Sequence, residues 1–122
     1  MAIYDLVGKE RLEKIMVTFY DRLFDDVMIG FIFQPFSKEH LIKMQIAFTG
    51  RLLGASELKY EGRGIREAHK KLSIRDGQFA RRQRILHEIL VEEGLSPAII
   101  EEWLQKENSL RSLVLNVNDK CE

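Results

Sequence analysis

A helical repeat of apolar residues is the feature that most constrains the fold of this chain. Between Lys9 and Asp25, apolar side chains recur with a period of about 3.6 residues, and charged side chains fall between them. This spacing gathers the apolar residues on one face of an α-helix. The chain has only two prolines, Pro35 and Pro97, so little interrupts long helices. The apolar positions of this first predicted helix are Leu12, Ile15, Met16, Phe19, Leu23 and Phe24.

The same pattern predicts a second and a third helix. Ser37 follows Pro35 and is a suitable N-cap for the second helix, which is expected to end near Gly54. A short third helix is predicted from about Gly64 to Leu72. The apolar stripe of the second helix consists of Leu41, Met44, Phe48 and Leu52.

Two more helices are predicted in the second half of the chain. Asp76 is a candidate cap for a fourth helix, which ends at the stop signal Gly94. Ser96 followed by Pro97 predicts the start of a fifth helix. No strand alternation of useful length and no long repeat interrupts this pattern, so the fold class is predicted to be all-α. The inward-facing residues are Phe79, Leu86, Ile89 and Leu90 in the fourth helix, and Ile99, Ile100, Trp103, Leu110, Leu113 and Val114 in the fifth.

The length and net charge of the chain limit the classes of function that it can have. A chain of 122 residues can bury one core, so residues 1–122 are expected to form a single domain. Its 19 basic and 19 acidic residues cancel, and this balance argues against nucleic acid or an anionic membrane as a partner. The lone Cys121 closes no disulfide within the chain, and no signal peptide or long apolar segment is apparent. A cytoplasmic location is therefore expected.

Searches for common metal, catalytic and nucleotide motifs exclude several kinds of site. His87 begins an H-E-x-x-H pattern, but Val91 stands where the second histidine belongs. No histidine has a glutamate three residues before it, as a di-iron helical bundle requires. The G-x-G run at 62–64 follows no predicted strand, so the dinucleotide-binding pattern also fails.

Three polar side chains, Tyr20, Gln45 and His69, fall on faces that are otherwise apolar. A buried polar group without a partner costs about 1–3 kcal/mol, so their positions indicate mutual pairing or something bound among them. Each one alone is ordinary: a histidine, glutamine or tyrosine on such a face is usually a satisfied core residue. Only their order along the chain is informative.

That order resembles the truncated haemoglobins, the short two-over-two helical globins, and most closely their group I. The resemblance covers nearly the whole chain and implies a globin-like, two-over-two helical sandwich. It is carried by Gly8, Phe19-Tyr20-Asp21-Arg22-Leu23, Asp25-Asp26, Phe33, Gln45, Phe48, Leu53-Gly54, Tyr60-Glu61-Gly62-Arg63, Ala68-His69-Lys70, Phe79 and the junction at 93–97.

The resemblance implies a haem b site. It makes His69 the proximal ligand of the haem iron, with one imidazole nitrogen on the metal and the other free to donate a hydrogen bond. Tyr20 and Gln45 match the distal polar pair, whose donors would stabilise the partial negative charge of a bound diatomic ligand, and the two can also bond each other. Phe33 would pack against the porphyrin. Further pocket positions are Leu41, Met44, Phe48, Tyr60, Ile65, Ile74 and Phe79.

Two distal positions bear on the sixth coordination site of the iron. Leu41 and Met44 occupy them, so the resemblance places no distal histidine there, and Met44 is a poor ligand at most. The sixth position is therefore expected to be open or weakly held.

The sequence also departs from the family pattern. Val7 and Ala55 replace glycines of the family's paired glycines, and Arg82 stands where valine or tryptophan usually faces the distal side of the haem. A buried arginine needs a haem propionate, a bound anion or an acidic side chain. Otherwise the helix is rotated, or Arg82 lies with Arg81 and Arg84 on a solvated face. The sequence leaves these alternatives open.

The leading expectation is a haem-binding globin that binds O2, CO or NO. A redox version would convert NO and bound O2 to nitrate and would need an external reductase, because the sequence contains no reductase domain. The alternative is a globin-like regulatory or protein-interaction module without haem, with Arg82 filling the space. A cofactor-free bundle with no such role would make the whole ordered pattern a coincidence.

Overall fold

The computed structural model describes residues 1–55, 64, 69 and 72–115, and within them the ordered elements are helices. Their bounds are α1 Ile3–Val7, α2 Lys9–Asp25, α3 Gly30–Phe33, α4 Lys38–Leu52, α5 Asp76–Glu92, α6 Pro97–Asn108 and α7 Arg111–Val114. The described part contains no strand, which confirms the all-α prediction. None of the described helices is long and apolar enough to cross a membrane.

Helix α2 is the centre of the packing. It contacts α1, α3, α4 and α5, while α5 also packs against α6. The pairs α2–α4 and α5–α6 are thus joined through the contact between α2 and α5. This is the arrangement that a two-over-two sandwich requires.

The first predicted helix has the bounds that its periodicity indicated. Of its predicted apolar face, all but Phe24 is buried, and Phe24 is half-buried. Gly8 at φ 92° allows the chain to turn from α1 into α2, a conformation that residues with a Cβ rarely adopt. Arg22 of α2 reaches across to α5 and donates to both oxygens of Glu92, at 3.0 and 2.6 Å.

Helix α4 begins as the sequence predicts. The Ser37 hydroxyl accepts a hydrogen bond from the backbone N–H of His40 at 3.2 Å, which satisfies one donor of the first turn. The stripe of Leu41, Met44, Phe48 and Leu52 is only half-buried, however, and the fully buried residues of this helix are Thr49 and Gly50. This stripe is less buried than the apolar faces of α2 and α5.

The predicted fourth and fifth helices need two corrections. Asp76 is the first residue of α5 rather than its cap; Arg75 is the N-cap, and its N–H donates to the Gln78 side chain at 2.8 Å. The fifth predicted helix, α6, is capped by Ser96 as predicted but ends at Asn108. Leu113 and Val114, which were predicted to belong to the same helix, lie on the separate helix α7. The predicted core positions of α5 are all buried, as is Trp103 of α6.

Helix α3 lies close to the C-terminal end of α2. A Cβ on Gly30 would lie 2.6 Å from the carbonyl oxygen of Phe24, so only glycine permits this approach. Phe31 is 66% exposed, whereas Phe33 packs against the core.

Candidate functional site

Tyr20 lies in the interior of the fold, where α2 faces α3. Its side chain is buried, and its ring meets Phe19 and Phe33 edge-on, with ring centroids 5.5 and 6.1 Å apart. Such contacts between a ring edge and a ring face are favourable and fix the orientation of the phenol. The sequence prediction that Tyr20 faces inward is confirmed.

The side chain of Tyr20 lies close enough to Arg82 of α5 to affect the ionisation of the guanidinium. The guanidinium donates to Glu107 of α6, with Nη1 2.8 Å from Oε1. The carboxylate is 5% exposed and the arginine side chain 19%, so this is a largely buried ion pair. Burial alone lowers the pKa of Arg82, but the charge of Glu107, its hydrogen bond and the nearby Tyr20 raise the pKa above its ordinary value.

Arg82 is also enclosed by aromatic rings. Its Cζ lies 5.0 Å from the centre of the Phe19 ring and 6.0 Å from that of Phe79. Arg111 covers Phe79 as well, at 5.7 Å, and forms an ion pair with Asp76. The buried Phe79 therefore has two cations near its ring.

The three arginines of α5 resolve the alternatives that the sequence left open. Arg82 meets an acidic side chain, as one alternative required, and is not part of a solvated face. Arg84 is exposed and pairs with Glu88 one turn on, at 3.6 Å. Arg81 is half-buried and pairs with Asp26.

Asp26 fixes the turn that leads to Phe33. One carboxylate oxygen accepts from the N–H groups of Met28 and Ile29, both at 3.0 Å, and the other accepts from Arg81 at 2.7 and 3.1 Å. Hydrogen bonding to Arg81 and to these backbone donors holds the pKa of Asp26 below its ordinary value against the effect of burial. The ring of Phe33 thereby stays beside Tyr20 and Phe24.

Gln45 lies on α4, half-buried, and is paired with a residue of its own helix. The hydroxyl of Thr49, one turn further on, donates to the Gln45 side-chain oxygen at 3.5 Å. The side-chain oxygen of Gln45 accepts this hydrogen bond. The NH2 group at the other end of the amide is therefore the part of the side chain that can donate to another group. The structure thus pairs Gln45 with Thr49, and Tyr20 lies near Arg82.

His69 is helical and half-buried, and its backbone oxygen accepts from the N–H of Leu72 at 3.1 Å. The residues 65–68 and 70–71 that surround His69 in the predicted third helix lie outside the described residues. Ile74, also a predicted pocket residue, is half-buried. The predicted pocket residues Tyr60 and Ile65 lie outside the described residues, as does Cys121.

The described residues fit a large apolar cofactor. Leu41, Met44 and Phe48 present a half-buried apolar face on α4, and Phe33 adds a half-buried ring. Burying such a face against a porphyrin would stabilise the complex by about 25 cal/mol per Å2. A half-buried imidazole at His69 supplies the type of donor that haem iron takes. No group of three or more His, Cys, Asp or Glu side chains in the described ranges is arranged to hold a bare metal ion.

Two residues of the site were missed by sequence reasoning. Glu107 lies one turn after Trp103, on the inward face of α6, and Thr49 lies one turn after Gln45 on α4. Both are buried polar residues at apolar positions, the same signal that singled out Tyr20. Their spacing in the sequence could therefore have identified both residues.

This helical sandwich, with a buried tyrosine on α2 and a half-buried histidine at position 69, is the architecture of a globin. The model of the bacterial-like globin family matches residues 2–116. A group 1 truncated hemoglobin of Tetrahymena pyriformis is 31% identical over 102 residues, covering 83% of this chain and 84% of that protein. One from Tetrahymena thermophila is 30% identical over 97 residues, covering 80% and 79%. The chain belongs to the bacterial-like globins and, within them, to the group 1 truncated haemoglobins.

Solved structures agree with this assignment. The Fe(III) form of the Tetrahymena pyriformis truncated hemoglobin is 27% identical, with a TM-score of 0.89 over 94% of this chain and 98% of that one. The 2/2 hemoglobin of a Synechococcus species, in the cyanomet state with covalently attached heme, has the same fold at 22% identity. Its TM-score is 0.88 over 95% of this chain and 99% of that one. The two-over-two fold is thereby confirmed.

Proposed function

We propose that this protein binds haem b with His69 as its axial ligand and takes up O2, CO or NO on the side of Tyr20. The observation that supports it most is the buried phenol of Tyr20, held between the rings of Phe19 and Phe33 in a chain of this family. When bound, haem supplies an iron centre that accepts a diatomic gas.

The chain's own residues supply the surroundings of that gas. Tyr20 and the NH2 group of Gln45 are the donors that would stabilise negative charge on it. Phe33, Leu41 and Phe48 exclude water from the site. His69 would hold the cofactor from the opposite side.

The spacing of polar residues in the Tetrahymena pyriformis protein supports the distal assignment. That protein has been crystallised as one Tyr→Phe variant and as two Gln→Glu variants. The tyrosine and the later glutamine are 25 positions apart there, as are Tyr20 and Gln45 here. The earlier glutamine corresponds by the same spacing to Leu41, so this chain has one glutamine fewer at its distal side.

Two narrower proposals concern a redox reaction and the location of the protein. Conversion of NO and O2 to nitrate would require an external reductase to return the electron lost by the iron. The expected cytoplasmic location is compatible with such a partner.

The haem-free alternative has one observation in its favour. Arg82 and Glu107 satisfy each other inside the protein, so the arginine needs neither a haem propionate nor a bound anion. A chain without cofactor could therefore keep this pair buried.

Hemin titration distinguishes the two functions. We expect the purified protein to take up one equivalent of hemin, give a sharp Soret band, and shift that band when it is reduced and exposed to CO. His69→Ala should weaken and alter the band, while His87→Ala, which removes an exposed imidazole from α5, should leave it unchanged. A colourless protein, or equal hemin binding by His69→Ala, would support the haem-free alternative.

A further inference from the structure

We propose that Thr49 is a positioning residue for Gln45: its hydroxyl holds the side-chain oxygen of Gln45, so that the NH2 group and not the oxygen is presented to a ligand. This inference rests on the proposed haem site. It adds a residue that decides whether Gln45 stabilises or repels negative charge on that ligand. Neither the family resemblance nor the proposed function assigns a role to Thr49.

Thr49 is suited to this role because it is buried and fixed in place. It is 0% exposed, although the apolar stripe of the same helix is only half-buried. Its backbone oxygen accepts from the N–H of Leu53 at 2.9 Å, and the oxygen of Leu53 accepts from the N–H of Tyr4 on α1 at 3.0 Å. A threonine side chain has few rotamers in a helix because it is branched at Cβ. The hydroxyl therefore lies at the end of α4 that is anchored to α1.

The sequence leaves Gln45 one helical neighbour that can hold its amide. Residues three and four positions away share a face of a helix, and for Gln45 these are Leu41, Ile42, Phe48 and Thr49. Three of them have apolar side chains. The Thr49 hydroxyl donates to the Gln45 side chain, with Oγ1 3.5 Å from Oε1. A buried hydroxyl needs an acceptor, so this contact also satisfies Thr49.

The orientation of the amide determines the sign of its effect on a ligand. A glutamine side chain carries an acceptor oxygen and a donor NH2 group on the same carbon. The NH2 group stabilises partial negative charge on a bound diatomic ligand, whereas the oxygen repels it. Without the Thr49 hydroxyl, the hydrogen bond that distinguishes the two orientations is lost. A half-turn of the amide then brings its oxygen to the position of the donor.

Thr49→Val tests this role, because valine has nearly the shape of threonine and lacks the hydroxyl. The variant is loaded with hemin and reduced, and O2 release is followed by stopped-flow displacement with CO. We expect O2 to leave about threefold to tenfold faster than from the original protein, the range that one hydrogen bond covers. CO carries little negative charge, so its release should stay within about twofold.

Thr49→Ser separates positioning from packing. Serine keeps the hydroxyl but loses a buried methyl group, so this variant should unfold at lower urea concentration and yet release O2 within about twofold of the original rate. Thr49→Val should show the opposite pattern, with faster release and a nearly unchanged urea midpoint. A purely structural role for Thr49 would make O2 release follow stability in both variants.

Two further variants show that the effect passes through Gln45. In a Gln45→Leu background, Thr49→Val should change O2 release by less than about twofold, because the amide is already gone. Thr18→Val makes the same chemical change at a half-buried position of α2 and should leave the rate unaltered. An undiminished effect of Thr49→Val in the Gln45→Leu background would overturn the inference.

The contact between the two side chains also has a readout that needs no cofactor. In the chain without hemin, Thr49→Val and Gln45→Leu are combined in a double-mutant cycle on urea unfolding. Since the contact is long, at 3.5 Å, the expected coupling is modest. The combined change in the unfolding equilibrium constant should differ from the product of the separate changes by about threefold. Changes that simply multiply would show that the hydroxyl does not hold the amide.

Failure of this inference is distinguishable from failure of the proposed function. Protein that takes up no hemin removes both. Protein that takes up hemin, but releases O2 at the same rate in Thr49→Val as in the original, removes the role of Thr49 and leaves the haem site intact. Slower release in Thr49→Val would show that the hydroxyl holds the donor away from the ligand, which also overturns the inference.

Discussion

At the level of single residues, the site consists of polar groups whose orientation is set by a neighbour. Thr49 donates to Gln45, and Glu107 holds Arg82, which lies near Tyr20. The acceptor oxygen of Gln45 is therefore already engaged, and its NH2 group is the donor that would face a ligand. Preorganised donors of this kind stabilise charge without having to reorient when it develops.

Tyr20→Phe tests the donor directly. Loss of the hydroxyl removes a hydrogen bond to a partially charged ligand, so O2 should leave the reduced, hemin-loaded protein roughly tenfold faster or more. Stopped-flow displacement of O2 by CO measures this rate. Tyr4→Phe, a change at a half-buried tyrosine of α1, is the matched control and should stay within twofold. An unchanged rate in Tyr20→Phe would remove Tyr20 from the distal site.

Single residues were largely predictable where a polar side chain interrupts an apolar stripe. Tyr20 and Gln45 were found in this way, and Glu107 carries the same signal. Which partner each one takes was not predictable. The contact of Arg82 with the Phe19 ring joins α5 to α2, and the pattern within one helix does not specify how two helices face each other.

At the level of elements, the helices divide into a well-buried set and one exception. The apolar faces of α2 and α5 are closed by their neighbours, whereas the stripe of α4 is half-buried throughout. Periodicity predicted that this stripe is apolar but not how far it is covered. Its incomplete burial is explained if haem covers part of it.

Helix boundaries followed the sequence where a cap is encoded locally. Ser37 and Ser96 accept from the N–H three residues on, as their positions predicted. The break between α6 and α7 was missed, because the apolar period continues through Leu110 while the backbone does not. Tertiary packing decides such a break, and the local pattern does not record it.

The turn between α2 and α3 should depend on the ionisation of Asp26. Its pKa is lowered in the folded protein, so its contribution to stability is present above the ordinary carboxylate pKa and is lost as the pH falls through the folded value. Asp26→Asn should therefore reduce the free energy of unfolding at pH 7 and make it less dependent on pH below about 4. Urea unfolding at pH 7 and at acid pH measures both effects.

Asp25 provides the control for this prediction, since it is the preceding residue and is exposed. Asp25→Asn should change the free energy of unfolding little at either pH. Equal pH profiles for Asp26→Asn and the original protein would show that the carboxylate does not stabilise the turn.

At the scale of the whole molecule, folding and cofactor binding should be coupled. A ligand that binds only the folded state stabilises it by about 4 kcal/mol when its concentration is a thousand times its Kd. For a chain of this length, such a gain corresponds to a rise in Tm of about 10 °C or more. Thermal unfolding followed by circular dichroism, with and without one equivalent of hemin, measures the rise.

The same experiment separates specific from adventitious hemin binding. His69→Ala should lose most of the rise in Tm, because without its axial ligand the cofactor binds the folded state less tightly. An equal rise in His69→Ala would show that hemin sits elsewhere on the protein.

The central claim is that His69 ligates the haem iron, and rescue by a free ligand tests it most directly. His69→Gly, loaded with hemin and reduced, is mixed with CO before and after the addition of imidazole, and its absorbance spectrum is recorded. We expect an altered CO spectrum that returns to that of the original protein when imidazole occupies the place of the missing side chain. A CO spectrum of His69→Gly that already matches the original without imidazole would contradict it.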